Sequence, residues 1–283
     1  MLTNADFKVV YSTGENEPSE VFFDSLLESS HFDLSLGFFS SSGFRALAPG
    51  FAYFIHRGGK MRIIVNDVLS QDDKLAIEKG FQSTPGELIE QNIIMDFSKL
   101  CETLSKRDAH FFNCISWLIA TKKMDLVAIV PKKDKPGIAH QKFGIFKDEK
   151  DNKVGFSGSI NFSSTALFNN FEAISCYKSW TSDYSDKERL KYYDQLFERI
   201  WSGKHEAVKL IPLDKIKVII RDKFPIDSIE KLLEEEQELL EDTANVPLMP
   251  TSLTTKFNTL KRKLSKRNPI LPSFPAGNER RDY

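Results

Sequence analysis

Apolar positions along this chain fall into two kinds of run, short alternating or wholly apolar stretches and longer stretches with helical spacing. Phe7 to Tyr11 is a short strand-like run, broken by Ser12-Thr13-Gly14. Pro18 opens a helix that carries Val21, Phe22, Leu26 and Leu27, with Glu20 in the favourable first turn. Phe32 to Phe39 alternates and then turns wholly apolar, as a strand does on entering a sheet interior. Ser40 to Gly43 caps a helix bearing Phe44, Leu47, Phe51 and Ile55, closed by Gly58-Gly59, and Lys60 to Val65 is the next strand. The order β-α-β-α-β predicts a central, mixed and mostly parallel sheet flanked by helices, an α/β fold.

Beyond Asn66-Asp67 the spacing predicts helices over about 70–79, 85–106 and 108–123, then a strand from Met124 to Val130. The apolar run 140–146 and a second ending at Gly158 flank the polar stretch 147–153, which predicts a hairpin. A short helix is expected from Ser163, a strand over Phe171 to Tyr177, and an amphipathic helix over Asp186 to Trp201. After Gly203 the character changes. Ile216 to Ile220 reads as a small strand, 227–242 as an acidic helix, and 256–267 as a basic run leading into Pro269, Pro272 and Pro275. The expected division is 1–210 for the main domain, 211–245 for a strand and acidic helix, and 246–283 for a basic, proline-containing linker, with the edge near 209–213.

Composition narrows the function classes. With 41% apolar residues and 23 phenylalanines the chain can build a sizeable core. A formal net charge of -1 makes no bulk claim on nucleic acid, so any such binding must come from a local patch. Cys101, Cys114 and Cys176 lack metal-ligand spacing and read as packed, reduced thiols. Met1 to Asp6 lacks a basic stretch leading into an apolar one, and no run reaches the ~18 apolar residues of a membrane span, so a cytoplasmic location is expected.

Chemistry concentrates between His140 and Glu172. On a strand His140 and Lys142 share a face, and Ser159 and Asn161 repeat that spacing where the second run ends. A nucleophile or base, a fixed cation and two short polar donors at one sheet end suit a phosphate diester. Taken singly these residues read blandly: His140 as a surface strand residue, Ser159 and Asn161 as turn residues, Glu172 as a strand-edge carboxylate. Their ordered combination favours the functional reading.

His140-Gln-Lys142 followed by Gly158-Ser-Ile-Asn161 resembles the signature of the phospholipase D superfamily. With 36–44, Phe156-Ser-Gly-Ser-Ile-Asn, Asn170-Phe-Glu172 and Ser179-Trp180, the stretch from about Phe7 to Trp201 is similar to one branch: the phospholipase D-like nuclease domain at the N-terminus of bacterial DEAD/DEAH-type helicases. The resemblance implies a phospholipase D-like fold and a metal-independent endonuclease acting on DNA, with RNA left open. In it His140 attacks phosphorus, Lys142, Asn161 and Ser159 hold the non-bridging oxygens, and Glu172 holds the histidine's other nitrogen. One His-x-Lys copy per chain implies a homodimer sharing one site. No cofactor is implied, and His31, His56, His110 and His205 have no ligand-like partners in the sequence.

The usual superfamily Asp at the fifth position after the lysine is replaced here by Lys147, with Asp148 adjacent, which weakens a lipid-hydrolase reading. The ending Glu279-Arg-Arg-Asp-Tyr283 resembles the entry to a helicase core, implying a longer protein with a linked helicase and a role in bacterial defence. No Walker-type Gly-Lys-Ser/Thr occurs, so ATP chemistry has no place in these residues. A catalytically weak nucleic-acid-binding and dimerisation module is the alternative from another class, and a phospholipid hydrolase the third.

Overall fold

The computed structural model describes residues 1–36, 48–65, 106–132, 141–160, 170–226, 228, 231, 232 and 235. Eight strands form one sheet: β1 (Val10–Ser12), β2 (His31–Leu36), β3 (Lys60–Val65), β4 (Met124–Pro131), β5 (Phe143–Lys147), β6 (Lys153–Gly158), β7 (Ala173–Lys178) and β8 (Val208–Pro212). Among the described residues the helices are α1 (Pro18–Glu28), α2 (Ala48–His56), α3 (Lys106–Ala120), α4 (Tyr184–Trp201) and α5 (Asp214–Lys223). The helix expected over 70–79, that over 85–106 except Lys106, the short helix from Ser163 and the linker 246–283 lie outside the described residues.

The strand order is β1-β7-β6-β5-β2-β3-β4-β8. Only β2–β3 and β3–β4 pair in parallel; the other described pairings are antiparallel. The sheet is therefore mixed as expected but mostly antiparallel rather than mostly parallel. The 148–152 connection is too short for a parallel crossover, so β5 and β6 form a hairpin, and with β7 and β1 they build an antiparallel half beside the βαβ half.

Alternation along each strand divides the core between two faces. Phe32, Leu34, Met61, Ile63, Leu126, Phe146, Val154, Phe156 and Ile174 face α1, α2, α3 and α5. Ile64, Val127, Ile129 and Phe143 face Leu196, Phe197 and Ile200 of α4. Aromatic rings fill the first layer: Phe32 stacks on Phe146 at 3.9 Å between centroids, and Phe22 meets Phe156 edge-on at 4.6 Å. A Cβ on Gly144 would lie 2.6 Å from the Phe156 ring, so glycine there is what lets that ring cross β5. On the other face Arg62 donates to Asp33 at 2.6 and 2.7 Å and to Glu198 at 2.6 Å, and lies over the rings of Phe197 and Trp201. That knot ties β2 and β3 to α4.

The end of the main body differs from the sequence reading. The stretch 209–213, where the division is expected, overlaps β8, which pairs with β4. Ile216 to Ile220 is helical, not a strand. Its β-branched residues suggest a strand, but Ile216 and Ile220, four residues apart, share a helix face and are buried in the main core, and Phe224 stacks on Phe112 of α3 at 5.1 Å. Most of the expected acidic helix lies outside the described residues, although Asn113 donates to Glu235 at 2.6 Å. Cys176 is fully buried in β7 and Cys114 half-buried in α3 as free thiols, while Cys101 lies outside the described residues. No described helix is long and apolar enough to cross a membrane.

Asp148, one residue beyond the position where the resembled signature carries its Asp, is 3% exposed and closes the β5–β6 turn. Its carboxylate accepts from the amides of Leu2, Lys150 and Asn152 at 2.9–3.0 Å and from the Asn152 side chain. Burial pushes this carboxyl up, but the hydrogen bonds from Asn152, Leu2 and Lys150 outweigh it and hold it below the usual range. Its contribution is therefore present above the ordinary Asp value, about 3.9, and lost as pH falls through the lower folded value. Asp148→Ala is expected to remove about 2 kcal/mol, lowering Tm by roughly 4–8 °C at neutral pH. In thermal melts at a series of pH values, the gap between wild type and variant should narrow below about pH 4.

Candidate active site

Register decides which residues meet at one end of the sheet. Phe143 pairs with Ser157, and Gly158 with Ile174, so the start of β5, the end of β6 and the start of β7 are flush. Ser12 of β1 pairs with Ala173, which brings Thr13 to the same end. This is also the carboxyl end of the parallel strands β2, β3 and β4, the usual location of ligand sites in open α/β sheets.

Three of the five sequence-predicted site residues are described, and they gather here. Lys142, directly before β5, is only 6% exposed, and its carbonyl accepts from the Gly158 amide at 3.2 Å. Glu172, directly before β7, is 9% exposed. Ser159, directly after β6, donates its hydroxyl to the Glu172 carboxylate. Its amide donates to the Ala173 carbonyl at 3.3 Å, and its oxygen accepts from the Ala173 amide at 3.4 Å. Asn170 donates to the other Glu172 oxygen at 3.3 Å. His140 and Asn161 lie outside the described residues.

The Ser159–Glu172 contact is absent from the sequence reading, which aims the serine at a phosphate and the glutamate at a histidine. A carboxylate with one donor on each oxygen is fixed in orientation. Thr13 is also missed. Its hydroxyl accepts from the Glu172 amide at 3.1 Å and donates to the Asn170 carbonyl at 2.9 Å. No sequence signal marks it, because its partners are more than 150 residues away.

A cavity of about 340 Å³ lies at the opposite end of the sheet, lined by His31, Asp33, Lys60, Arg62, Lys147 and Lys153 among others. It contains none of the motif residues. Several of its cations are already matched: Arg62 to Asp33 and Glu198, Lys147 to Asp151, and Lys153 to Asp194. Among the described residues no group of three or more His, Cys, Asp or Glu could hold a metal ion.

Gly158 ends β6 directly before Ser159 and leaves no room for a side chain against β7. A Cβ there would sit 2.3 Å from the Ala173 carbonyl oxygen and 2.9 Å from the Ile174 Cα, both rigid backbone atoms. Gly158→Ala must therefore force β6 and β7 apart at the site. The expected loss is about 2 kcal/mol, in the range of overpacked cores, read as a fall in the urea midpoint without a change in slope.

No protein-family model matches the chain, and no curated protein matches it. Among solved structures it is similar to NucT from Helicobacter pylori, at 15% identity and a TM-score of 0.38 over 67% of this chain and 94% of that one. It is similar to Nuc from Salmonella typhimurium, a phospholipase D family member, at 13% identity and 0.36 over 67% and 92%. Phosphatidylserine synthase from Haemophilus influenzae aligns at 15% identity and 0.43, over 89% of this chain and 46% of that one.

Proposed function

We propose that this chain is a phosphodiesterase of the phospholipase D type that cleaves DNA without a metal. The observation that carries the reading is the meeting of Lys142, Ser159 and Glu172, from three neighbouring strands, at one sheet end. In the sequence they stand in the order His-x-Lys, Gly-Ser-x-Asn, Asn-x-Glu.

The chemistry runs in two steps. The neutral imidazole of His140 attacks phosphorus, the P–O bond to the leaving strand breaks, and a phosphohistidine forms; water then attacks the same phosphorus and frees the histidine. Lys142 and Asn161 meet the charge that builds on the non-bridging oxygens, and the Ser159 hydroxyl, given to Glu172, steadies that carboxylate. Glu172 fixes the tautomer of His140 and supports its positive form. Protonation of the leaving oxygen needs a second histidine, and a second copy of this chain across a twofold axis supplies it. Linkage to a helicase in a bacterial defence system rests on the sequence resemblance alone.

Supercoiled plasmid and single-stranded oligonucleotide, each with excess chelator, test the reading. Wild type should cut at least one of them, His140→Ala should cut neither, and Lys142→Ala should be slower by about 10²–10³. Solution mass should report a dimer. Equal cleavage by wild type and His140→Ala, or cleavage abolished by chelator, would sink it.

A further inference from the structure

The three residues 170–172 have no apolar anchor of their own. Phe171 at their centre is 86% exposed, so burial of its ring does not hold the segment. Hydrogen bonds must do so: Ser159 and the Asn170 side chain hold the Glu172 carboxylate, and the bonds to the segment's backbone converge on Thr13. The Thr13 amide donates to the Glu172 carbonyl at 3.1 Å, and the Glu172 amide donates to Thr13 Oγ1 at 3.1 Å. The Thr13 hydroxyl proton goes to the Asn170 carbonyl at 2.9 Å. The donor and both roles of the hydroxyl are thereby used on two residues whose side chains also bond each other.

Thr13 is itself held firmly. Ser12 closes the ladder with Ala173, its amide donates to the Asn16 carbonyl at 2.8 Å, and its carbonyl accepts from Glu15 at 3.1 Å. Two residues after Asn16 the chain enters α1 at Pro18. The turn is thus anchored to both the sheet and a core helix. A β-branched side chain adds stiffness at χ1, so the hydroxyl is directed before any partner arrives.

We infer that Thr13 is a positioning residue for the phosphodiesterase: its clasp on 170–172 sets where the Glu172 carboxylate stands. The inference rests on the role given to Glu172 above. Thr13→Val keeps the shape and removes the hydroxyl; Thr13→Ser keeps the hydroxyl and loses the stiffness. Loss of hydrogen bonds to a group that acts through another predicts a fall in kcat of about tenfold for Thr13→Val, with KM within about twofold. Thr13→Ser should stay within about threefold of wild type. In a Glu172→Gln background the same Thr13→Val change should cost less than about twofold, because the group it positions is gone.

Amide hydrogen exchange at Glu172 reads the clasp without any turnover and should quicken about tenfold or more in Thr13→Val but not in Thr13→Ser. Unchanged exchange at Glu172 in Thr13→Val overturns the inference whatever the activity. So does a full tenfold loss that persists in the Glu172→Gln background, which would mark a general structural role. A fully active Glu172→Gln instead counts against the role of Glu172, and a wild type inert toward diesters counts against the phosphodiesterase reading; with faster exchange in Thr13→Val, the clasp itself survives either result.

Discussion

Register along the β5–β6–β7 ladder is the constraint on which the rest depends. Side chains alternate with a period of two, so a slip of one residue would turn Phe146, Val154 and Phe156 out of the main core. It would equally part Lys142 from Gly158 and Ser159 from Ala173. The two ends of this ladder are pinned by different means. At one end Asp148 gathers the amides of the turn and of Leu2; at the other Gly158 allows a backbone approach that no other residue would tolerate. The same pairing thus serves the core and the site.

A division of labour follows between the two ends of the sheet. At one end opposite charges neutralise one another, most densely around Arg62, Asp33 and Glu198, which fasten α4 to β2 and β3. At the other a carboxylate is steered by a hydroxyl, an amide side chain and a backbone clasp. The first arrangement satisfies charges in pairs. The second brings Lys142 and Glu172, each nearly buried, to one sheet end.

Local features were legible in the sequence, and long-range ones were not. Pro18 announced α1, and the polar stretch 147–153 announced the hairpin, because a turn and its flanking strands are written in adjacent residues. Sheet direction was misjudged because β-α-β order in the first third of the chain says nothing about how β5, β6 and β7 attach to β2. Ile216 to Ile220 shows tertiary context overriding propensity: a helix puts Ile216 and Ile220 together into the main core, beside the Phe224–Phe112 stack on α3. That Lys142, Ser159 and Glu172 meet at one sheet end could be anticipated from motif spacing. Thr13 could not, since an ordinary threonine after a three-residue edge strand gains meaning only when that strand pairs with β7.

Cys176 lies in the middle of this ladder, opposite Phe156, and its amide donates to the Val9 carbonyl at 2.8 Å. Burial pushes its thiol up to about 12, so in the closed fold it is both unreachable and un-ionised. A thiol-specific reagent can therefore modify it only when β1 lifts away or the ladder parts. The rate of that labelling is an intrinsic clock for breathing of the strand that follows Glu172, already built into the chain and requiring no introduced probe.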